Sequence, residues 1–573
     1  MTATEHTVKS WDGTELFYRA WLPAKPTAKA LLLFHRGHEH SGRWQEVVDL
    51  IAFEDMAVFA WDARGHGRSP GERGSAPNLM AVIKDTESFV RHVSERHGIP
   101  LENMVVMAHS VGAVTAAAWV HDFAPPIRGL VLAVPAFRVK LYLPFAVPLL
   151  RLRQRLFGPG YVKSYVKAKM LTHDPEQAAR YQADKFIFRQ IAVNILLDLH
   201  DTSTRLLADA GAIHTPTLVL GAGSDWVVSL SAQRQFFERL SSPIKEMEIF
   251  PGFYHAVFHE RGREKLIDRA RQFIAERFRE PPSRPGLLDA DQRGHTKAEY
   301  ERLSTPGSAR FAVVRLGMRT LGRMSQGIAL GWRSGFDSGA TLDYVYENRS
   351  EGFTPLGRWM DRAYLESIGW RGIRQRRVQL EAALCEIIGV THAAGQPARI
   401  LDIAAGAGRY VLETLRAQRD IPATALLRDY KPENLEAMKR RTAEWGLTNV
   451  IVAHGDAFDR ASLAAIAPRP TIAIVSGLYE LFPANAPVLE SLRGLADVVE
   501  PGGHLIYTNQ PWHPQVEFIA RVLTNREGRP WIMRRRTQAE MDALVREAGF
   551  EKLRMDIDPW GIFTVSVARR MPR

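Results

Sequence analysis

Residues 103–120 read NMVVMAHSVGAVTAAAWV, and this stretch decides how the first half of the chain is interpreted. The apolar run 104–108 predicts a short buried strand, and the small residues from Gly112 onward predict a helix. Ser110 falls on the turn between them, which would lift its hydroxyl out of a sheet and place it near the positive end of the helix. The pattern is close to G-x-S-x-G, with Ala108 in place of the first glycine. An ordinary strand–helix crossover is the alternative.

Length and composition limit the class of protein. A chain of 573 residues exceeds one ordinary domain, so two or more domains are expected. The single cysteine, Cys385, excludes an internal disulfide framework and fits a reducing compartment. The sequence has neither a cationic-then-apolar leader nor a long uncharged apolar run, so we expect a cytoplasmic protein. The net charge of +12 indicates an anionic partner, such as nucleic acid or a lipid surface.

Three residue types needed for nucleophilic catalysis follow predicted strands of the first half. Strands alternate there with helical stretches, which predicts a parallel sheet with functional loops at the strand carboxyl ends. Ser110, Asp225 and His255 occur in the order that α/β-hydrolases use for nucleophile, acid and base. His255 would take the serine proton, and Asp225 would hold the imidazole tautomer. Asp198 and Asp201 are alternative acids, but they sit in a helical stretch before the strand.

Backbone N–H groups near the serine are the candidate donors to a developing oxyanion. They belong to Val111 and to Gly37 or Arg36. The Arg36 side chain could attract an anionic group of a substrate, although we favour a solvated arginine.

Four motifs carry a resemblance that spans residues 7–278. EHSGRW, WDARGHGRSPGERG, AHSVGA and PGFYHAVFHE occur in this order and resemble the monoacylglycerol lipase and lysophospholipase branch of the α/β-hydrolases. The resemblance implies an α/β-hydrolase domain over 1–280, with a helical cap at about 136–210, that cleaves an ester of lipid type. The chain departs from that family at residues 35–37, where it reads His-Arg-Gly instead of His-Gly. No metal is implied for the polar loop that contains His35, His38, Glu39 and His40.

The predicted cap includes a stretch that is both apolar and basic. Residues 142–157 read YLPFAVPLLRLRQRLF, with arginines at 151, 153 and 155. Such a helix suits acyl chains and contact with an anionic lipid surface. A cap helix packed on its own domain is the alternative.

A proline-rich, polar stretch predicts a linker over 281–309, and an arginine-rich helical segment follows over 310–396. Arg315, Arg319 and Arg323 recur every four residues, which predicts one basic amphipathic helix over 310–332. This helix could lie on an anionic membrane, or it could dock between the two domains.

Glycines follow another predicted strand in the second half. Gly406 and Gly408 would let the backbone approach a ligand and aim a helix N-terminus at it. A dinucleotide fingerprint would need glycine at 411, where valine stands, so NAD is disfavoured. Asp429 follows the next predicted strand, about 20 residues on, where a carboxylate can accept ribose hydroxyls.

The motif LDIAAGAG over 401–408 and the strand succession over 395–573 resemble the class I S-adenosylmethionine-dependent methyltransferases, with Ala404 replacing one glycine. The resemblance implies a Rossmann-like domain over 397–573 with S-adenosylmethionine as cofactor. The residues it assigns to that cofactor are Asp402, Ala404, Gly406, Gly408, Asp429, Tyr430, Asp456 and Ala457. The order of hydrolase, arginine-rich segment and methyltransferase also resembles a group of bacterial fusion proteins.

The methyl acceptor is harder to predict, because the enzyme mainly positions it and excludes water. Four polar or aromatic residues follow the strand ends that would face the methyl group: Tyr479, Glu480, Asn509 and Trp512. Each could be simple pocket wall, and we favour Glu480 as a general base.

We therefore predict a bifunctional enzyme, a serine ester hydrolase fused to a methyltransferase, acting on small-molecule or lipid substrates and touching an anionic membrane peripherally. The alternative is a hydrolase with a non-catalytic cofactor-binding or membrane-docking second half. Methylation of nucleic acid would use the positive charge, but the arginines cluster with apolar residues and lack the interleaved aromatics of single-strand binders. No oligomeric state is predicted.

Overall fold

The computed structural model describes residues 1–283, 285–352 and 354–572. Arg284 of the predicted linker, Phe353 of the helical segment and Arg573 of the last domain lie outside the described residues. The chain divides into two compact units, Met1–Pro285 and Gly286–Arg573.

The first unit contains a large sheet and a small strand pair. Its strands are β1 (Thr4–Lys9), β2 (Glu15–Trp21), β3 (Ala30–Phe34), β4 (Ala57–Trp61), β5 (Met104–His109), β6 (Gly129–Ala133), β7 (Tyr161–Lys163), β8 (Gln190–Ala192), β9 (Thr217–Ala222) and β10 (Lys245–Phe250). The sheet order is β1-β2-β4-β3-β5-β6-β9-β10, and β7 pairs with β8. The pairs β1–β2 and β2–β4 are antiparallel, and the other pairs of the large sheet are parallel.

Helices connect these strands. They are α1 (Gln45–Ile51), α2 (Leu79–His97), α3 (Val111–Phe123), α4 (Ala146–Phe157), α5 (Pro175–Ala183), α6 (Val193–Asp209), α7 (Leu230–Arg239) and α8 (Arg263–Arg279). The segment between β6 and β9 holds α4 to α6 and the small strand pair. The predicted parallel α/β architecture is confirmed. β3, β4, β5 and β6 are buried along their whole length, as a sheet covered on both faces requires.

The turn from β5 to α3 is as tight as its small residues indicate. Ser110 has φ +56° and ψ −113°, a left-handed conformation that a non-glycine residue adopts only under strain. Gly112 allows the close approach, because a Cβ there would lie 2.4 Å from the carbonyl oxygen of His35. The strand and the helix therefore hold the serine in place through backbone contacts.

Replacing Gly112 with alanine should destabilise the first unit by about 1–3 kcal/mol, because the added methyl group meets backbone that must shift. The measurement is the temperature at which half of the ester-hydrolysing activity is lost on heating, which we expect to fall by several degrees. Gly129→Ala is the matched control, since the nearest atom to a Cβ added there is the Arg277 Cγ, at 3.3 Å, and the ring of Phe273 and the carbonyl oxygen of Pro216 lie at ordinary contact distances of 3.5 and 3.6 Å. Equal heat resistance of the two variants would contradict the close-approach argument.

The second unit contains a seven-stranded sheet. Its strands are β11 (Ala398–Asp402), β12 (Ala423–Asp429), β13 (Val450–His454), β14 (Ile472–Val475), β15 (His504–Asn509), β16 (Phe550–Ile557) and β17 (Thr564–Arg570). The order is β13-β12-β11-β14-β15-β17-β16. β11 to β15 are parallel, while β17 runs antiparallel to both of its neighbours. The strand order reverses between β11 and β14, and ligands of open parallel sheets bind outside the carboxyl ends at such a point.

The helices of this unit include those before the sheet and those that cover it. They are α9 (His295–Ser304), α10 (Ala309–Arg319), α11 (Gln326–Ser334), α12 (Gly339–Glu347), α13 (Pro355–Leu365), α14 (Ile368–Ala393), α15 (Arg409–Ala417), α16 (Pro432–Glu444), α17 (Arg460–Ala464), α18 (Asn485–Val498), α19 (Val516–Val522) and α20 (Gln538–Glu547). The predicted linker thus contains α9, whose Leu303 is buried against Val516 and Ala520. Among the described residues, no helix is long and apolar enough to cross a membrane.

The single basic helix expected over 310–332 is interrupted. α10 ends at Arg319, a short 3-10 turn covers Leu321–Met324, and α11 begins at Gln326. Ser325 starts the new helix, because its hydroxyl oxygen accepts from the amide of Ile328 and its hydroxyl donates to Asp361. The arginines consequently do not form one continuous helical face.

The arginine-rich segment contributes to the core of the second unit. Phe336, Trp370 and Ile373 pack in one apolar cluster with Val522 and Phe563, which lie near the end of the chain. This cluster brings the segment to the carboxyl edge of the sheet, where ligand sites are expected.

Candidate active sites

Three side chains of the first unit form a continuous hydrogen-bonded chain. Ser110 Oγ lies 2.8 Å from His255 Nε2, and His255 Nδ1 lies 2.8 Å from Asp225 Oδ2. All three residues are buried, with Ser110 4% and His255 2% exposed. This geometry lets the imidazole take a proton from the serine while the carboxylate fixes its tautomer.

Asp225 is held as a carboxylate. Burial alone would raise its pKa, but the charge and hydrogen bond of His255 and the amides of Val227 and Val228 outweigh burial and lower the pKa below its usual value. The alternative acids lie on α6, where Asp198 accepts from the amide of Leu79. Asp225 is therefore the acid that the structure places on His255.

The residues expected at the oxyanion site lie beside the serine. A Cβ on Gly37 would lie 3.2 Å from Val111 Cγ2, so the Gly37 backbone packs against the Val111 side chain. Arg36, Gly37 and Val111 line the same cavity as Ser110. The expectation of a solvated Arg36 side chain is wrong: it is 3% exposed, pairs with Glu39 Oε1 at 3.0 Å and lies over the Tyr181 ring. Because this partner is a buried carboxylate on the same loop, the guanidinium fixes the loop conformation.

Three histidines of this region bond to the backbone, whereas His40 Nε2 lies 2.9 Å from Asp184 Oδ2. His35 contacts the carbonyl of Arg36 through Nδ1 and accepts from the amide of Ala63 at Nε2. His109 Nε2 lies 2.9 Å from the carbonyl oxygen of His255, and this contact holds the base in place. Burial lowers the pKa of His66 to about 3, so this ring stays neutral in its contact with the carbonyl of Arg64.

A cavity of about 550 Å³ opens onto the serine. Its walls are mainly apolar and come from the cap, with Leu143, Leu149, Leu150, Ile191 and Leu196 among them. The volume lies in the usual range for small-molecule sites. The arrangement can receive an apolar chain next to the nucleophile.

The second candidate site lies at the loop after β11. Gly406 has φ +57°, and a Cβ there would find no atom within 4 Å, so the space beside it is open. Its amide donates to Asp429 Oδ2 at 2.8 Å, and Asp429 Oδ1 accepts from the amide of Lys431 and from Asn434. Gly408 packs more tightly, since a Cβ added there would lie 3.0 Å from Met438 Cγ. The carboxylate of Asp429 therefore orders the glycine loop at the mouth of the site.

Asp402 lies beneath this loop. It is fully buried and accepts from the Tyr410 hydroxyl and the amide of Ala404. Burial raises its pKa to about 7 despite these hydrogen bonds. The side chain thus supports the loop from the sheet side.

The other residues assigned to the cofactor lie around the same edge. Ala404 is half-buried in the loop, and Tyr430 is 61% exposed just after β12. Asp456 is exposed after β13, with Oδ1 accepting the amide of Phe458, while Ala457 beside it is buried. Tyr430 and Asp456 therefore present an exposed ring and an exposed carboxylate at adjacent strand ends.

A second cavity, of about 420 Å³, lies beyond β14 and β15. Glu480 and Gly477 line it on the sheet side, and the helical segment supplies Trp370 and Ile373. The other acceptor candidates turn away. Tyr479 is buried and its hydroxyl contacts Ser491, and Asn509 donates to the carbonyl oxygen of Arg536. Trp512 contacts Arg535 and is not among the lining residues.

Several lining residues were not anticipated from the sequence: Arg376, Gln510, His513 and Trp531. Gln510 and His513 share the NQPWHP loop with Asn509 and Trp512, so the sequence predicts this loop at the sheet edge but not which of its side chains line the cavity. Arg376 lies on α14 and is only 4% exposed. The sequence of this helix contains many arginines, and its pattern does not indicate that this one is buried. No sequence pattern points to Trp531.

Three consecutive buried arginines hold the loops around this cavity. Arg534 pairs with Glu540 at 2.7 Å, and Arg535 donates to the carbonyl oxygen of Pro511. Arg536 donates to the carbonyl oxygens of Tyr479, Phe482 and Ala484. Burial lowers the pKa of Arg536 to about 10. The loops after β14 and β15 are therefore anchored to one segment.

Comparison with known proteins agrees with this division. Residues 25–262 match the family "Serine aminopeptidase, S33", and residues 270–570 match the family "Putative methyltransferase". "Uncharacterized protein YnbC" of Escherichia coli is 48% identical over 575 residues, covering 99% of this chain and 98% of that protein. "Monoacylglycerol lipase" of Mycolicibacterium smegmatis is 26% identical, covering 48% of this chain and 97% of its own. The solved structure of Paleococcus ferrophilus monoacylglycerol lipase has 23% identity and a TM-score of 0.41, covering 48% of this chain and 100% of its own.

Fold and matches together define the class: an α/β-hydrolase domain, related to monoacylglycerol lipases, joined to a methyltransferase-family domain. Because the match over residues 270–570 covers more than half of the chain, the chain belongs to the family "Putative methyltransferase".

Proposed function

We propose that the first unit is a serine hydrolase that cleaves the ester of a lipid with a single long acyl chain, such as a monoacylglycerol or a lysophospholipid. The observation that carries this proposal is the Ser110–His255–Asp225 chain at the base of an apolar cavity. The relationship to monoacylglycerol lipases supports the choice of substrate class.

In this reaction His255 Nε2 takes the hydroxyl proton of Ser110 as the oxygen forms a bond with the ester carbonyl carbon. The N–H groups of Val111 and of Gly37 or Arg36 would stabilise the resulting oxyanion. His255 then returns the proton to the departing alcohol, which leaves the acyl group on Ser110. A water molecule releases the fatty acid by the same steps.

The test is fatty-acid release from monoacylglycerol and lysophospholipid by the purified protein. Release that grows with acyl length would support the apolar cavity as the acyl site. Hydrolysis of short esters alone would contradict it.

We further propose that the second unit binds S-adenosylmethionine and transfers its methyl group. The open space beside Gly406 fits a ligand, and the exposed Tyr430 and Asp456 fit an adenine. The bound cofactor would supply a methyl group already activated on a sulfonium. Asp429 would accept the ribose hydroxyls, and the Gly406–Gly408 backbone would approach the methionine part. Since a second cavity adjoins the same sheet edge, we favour turnover over a purely docking module.

Calorimetric binding of S-adenosylmethionine to the whole chain tests this second proposal. Saturable binding at one site would support it, whereas no measurable heat at millimolar cofactor would contradict it.

We also propose that the cap rests on an anionic membrane. Within the described α4, Ala146 is the buried residue, while Phe145 just before it is 79% and Phe157 at its end is 77% exposed. The large exposed apolar residues of this region are Tyr142, Leu143, Phe145, Leu149, Leu152, Leu156 and Phe157. Arg155 is exposed on α4 and supplies positive charge that would attract anionic headgroups, whereas Arg151 pairs with Asp201 and Arg153 lines the cavity that opens onto Ser110.

The variant Leu152→Ser, Leu156→Ser, Phe157→Ser should bind vesicles containing phosphatidylglycerol on the order of tenfold more weakly, because it removes the groups that would enter the acyl region. The measurement is co-sedimentation with the vesicles. Leu22→Ser is the control, since Leu22 is 47% exposed elsewhere on the same unit. Equal sedimentation of both variants would contradict the cap as the docking surface.

A further inference from the structure

The cavity beside Glu480 has a mainly apolar wall. Its lining includes Trp359, Trp370, Ile373, Phe518 and Phe563, from both the helical segment and the end of the chain. A cavity of about 420 Å³ with such walls suits a small apolar molecule or an alkyl chain. The body of the ligand is therefore expected to be apolar.

Several polar atoms that line this cavity are hydrogen-bond donors for which the described residues supply no partner. Among the described residues, Gln510 Nε2, Trp531 Nε1 and Arg376 Nε are buried and have no hydrogen-bond partner. Gln510 is 3% exposed. Unpaired buried donors are costly, so a site that keeps several of them is suited to a ligand that accepts hydrogen bonds.

His513 adds a fourth donor. Its Nδ1 accepts the amide of Gln515 at 3.0 Å, which places the ring proton on Nε2. Burial lowers the pKa of His513 to about 3, so the ring stays neutral. It can donate to a ligand but does not act as a cation.

The two carboxylates of the cavity are already paired. Glu480 Oε1 lies 3.4 Å from Arg376 Nη1, with both side chains at least nine-tenths buried. Asp337 accepts from the amide and the guanidinium of Arg526. Among the described residues, the buried polar atoms of the site without a hydrogen-bond partner are thus the N–H groups of Gln510, Trp531 and Arg376 and the hydroxyl of Tyr364, which can also donate.

We propose that this cavity binds a long-chain carboxylic acid, whose carboxylate is the methyl acceptor of the second unit. This inference rests on the proposed methyltransferase function. A carboxylate oxygen would form the new bond to the methyl carbon as the carbon–sulfur bond breaks, with the electron pair remaining on sulfur. The products are a methyl ester and a neutral thioether, and no proton has to be removed. Glu480 is then needed as the partner of Arg376 instead of as a base.

The inference also suggests a reaction sequence. Hydrolysis of a lipid ester releases a long-chain carboxylate, so the class of reaction proposed for the first unit supplies the acceptor proposed for the second. The methyl ester would be a neutral product that the same cavity holds less well, because its oxygen atoms carry no charge.

The test is binding of decanoate to the whole chain without cofactor, measured by calorimetry, with decanol and decylamine as matched probes. We expect Trp531→Phe, which removes one N–H and keeps an aromatic ring, to raise the decanoate Kd roughly tenfold. Gln510→Leu should do the same. Trp445→Phe is the control, since Trp445 packs against a different apolar cluster of this unit.

Decanoate binding that weakens in both cavity variants but not in Trp445→Phe supports the inference. Equal binding of decanol and decanoate, or unchanged decanoate binding in both variants, overturns it. Mass spectrometry with isotopically labelled S-adenosylmethionine provides the second readout, where labelled methyl decanoate is expected. If the cofactor binds but another molecule is methylated, this inference fails alone; if the cofactor does not bind, the proposed methyltransferase function fails.

Discussion

Replacing Ser110 with alanine is expected to lower kcat for ester hydrolysis by roughly 10⁴- to 10⁶-fold. The variant keeps the cavity and the oxyanion donors but removes the atom that His255 Nε2 contacts at 2.8 Å. Without that oxygen no acyl group can be transferred to the protein, and only direct attack by water remains. The large factor follows because the serine and the histidine act as a unit.

The measurement is the initial rate of fatty-acid release at saturating substrate. Ser231→Ala is the control, because Ser231 is exposed on α7 and is not among the residues that line the cavity. Binding of S-adenosylmethionine should be the same in both variants, since the residues assigned to it belong to the other unit. Unchanged turnover in Ser110→Ala would refute the proposed hydrolase mechanism.

Replacing Asp429 with alanine is expected to weaken S-adenosylmethionine binding by roughly a hundredfold or more. The carboxylate accepts from the amides of Gly406 and Lys431 and from Asn434, and it is the group proposed to receive the ribose hydroxyls. Asp429 is 8% exposed, so removing its carboxylate leaves buried hydrogen-bond donors unpaired. The substitution also releases the glycine loop that the carboxylate holds. Both effects reduce affinity.

Calorimetry on the whole chain measures this change. Asp420→Ala is the control, because Asp420 is exposed just before β12 and no role is proposed for it. Ester hydrolysis should be unaffected in both. An Asp429→Ala protein that binds the cofactor as tightly as the parent would contradict the proposed site.

Local patterns allowed much of the fold and of both sites to be predicted. The run around Ser110 predicts its own turn, because strand, small residues and helix are consecutive in the sequence. The glycine loop after β11 is recognisable for the same reason. In both cases the residues that decide the conformation lie within a few positions of one another.

The cavity beside Glu480 could not be predicted in the same way. Its walls come from segments far apart in the sequence, so that Trp531 and Trp370 meet only in the folded unit. Their position after a strand end predicts Asn509 and Trp512 at the sheet edge, but position alone does not distinguish them from Gln510 and His513, which line the cavity. The burial of Arg36 could not be predicted because a buried arginine needs a specific charged partner. Only the fold shows that Glu39, on the same loop, is that partner.

The helical segment that lines one side of the cavity beside Glu480 is separate in sequence from the loops assigned to the cofactor. The other side of that cavity comes from residues after β14, whereas the loops after β11, β12 and β13 hold the groups proposed for the nucleoside. Exchanging the helical segment would therefore alter one side of the cavity and leave both its other side and the proposed nucleoside groups in place.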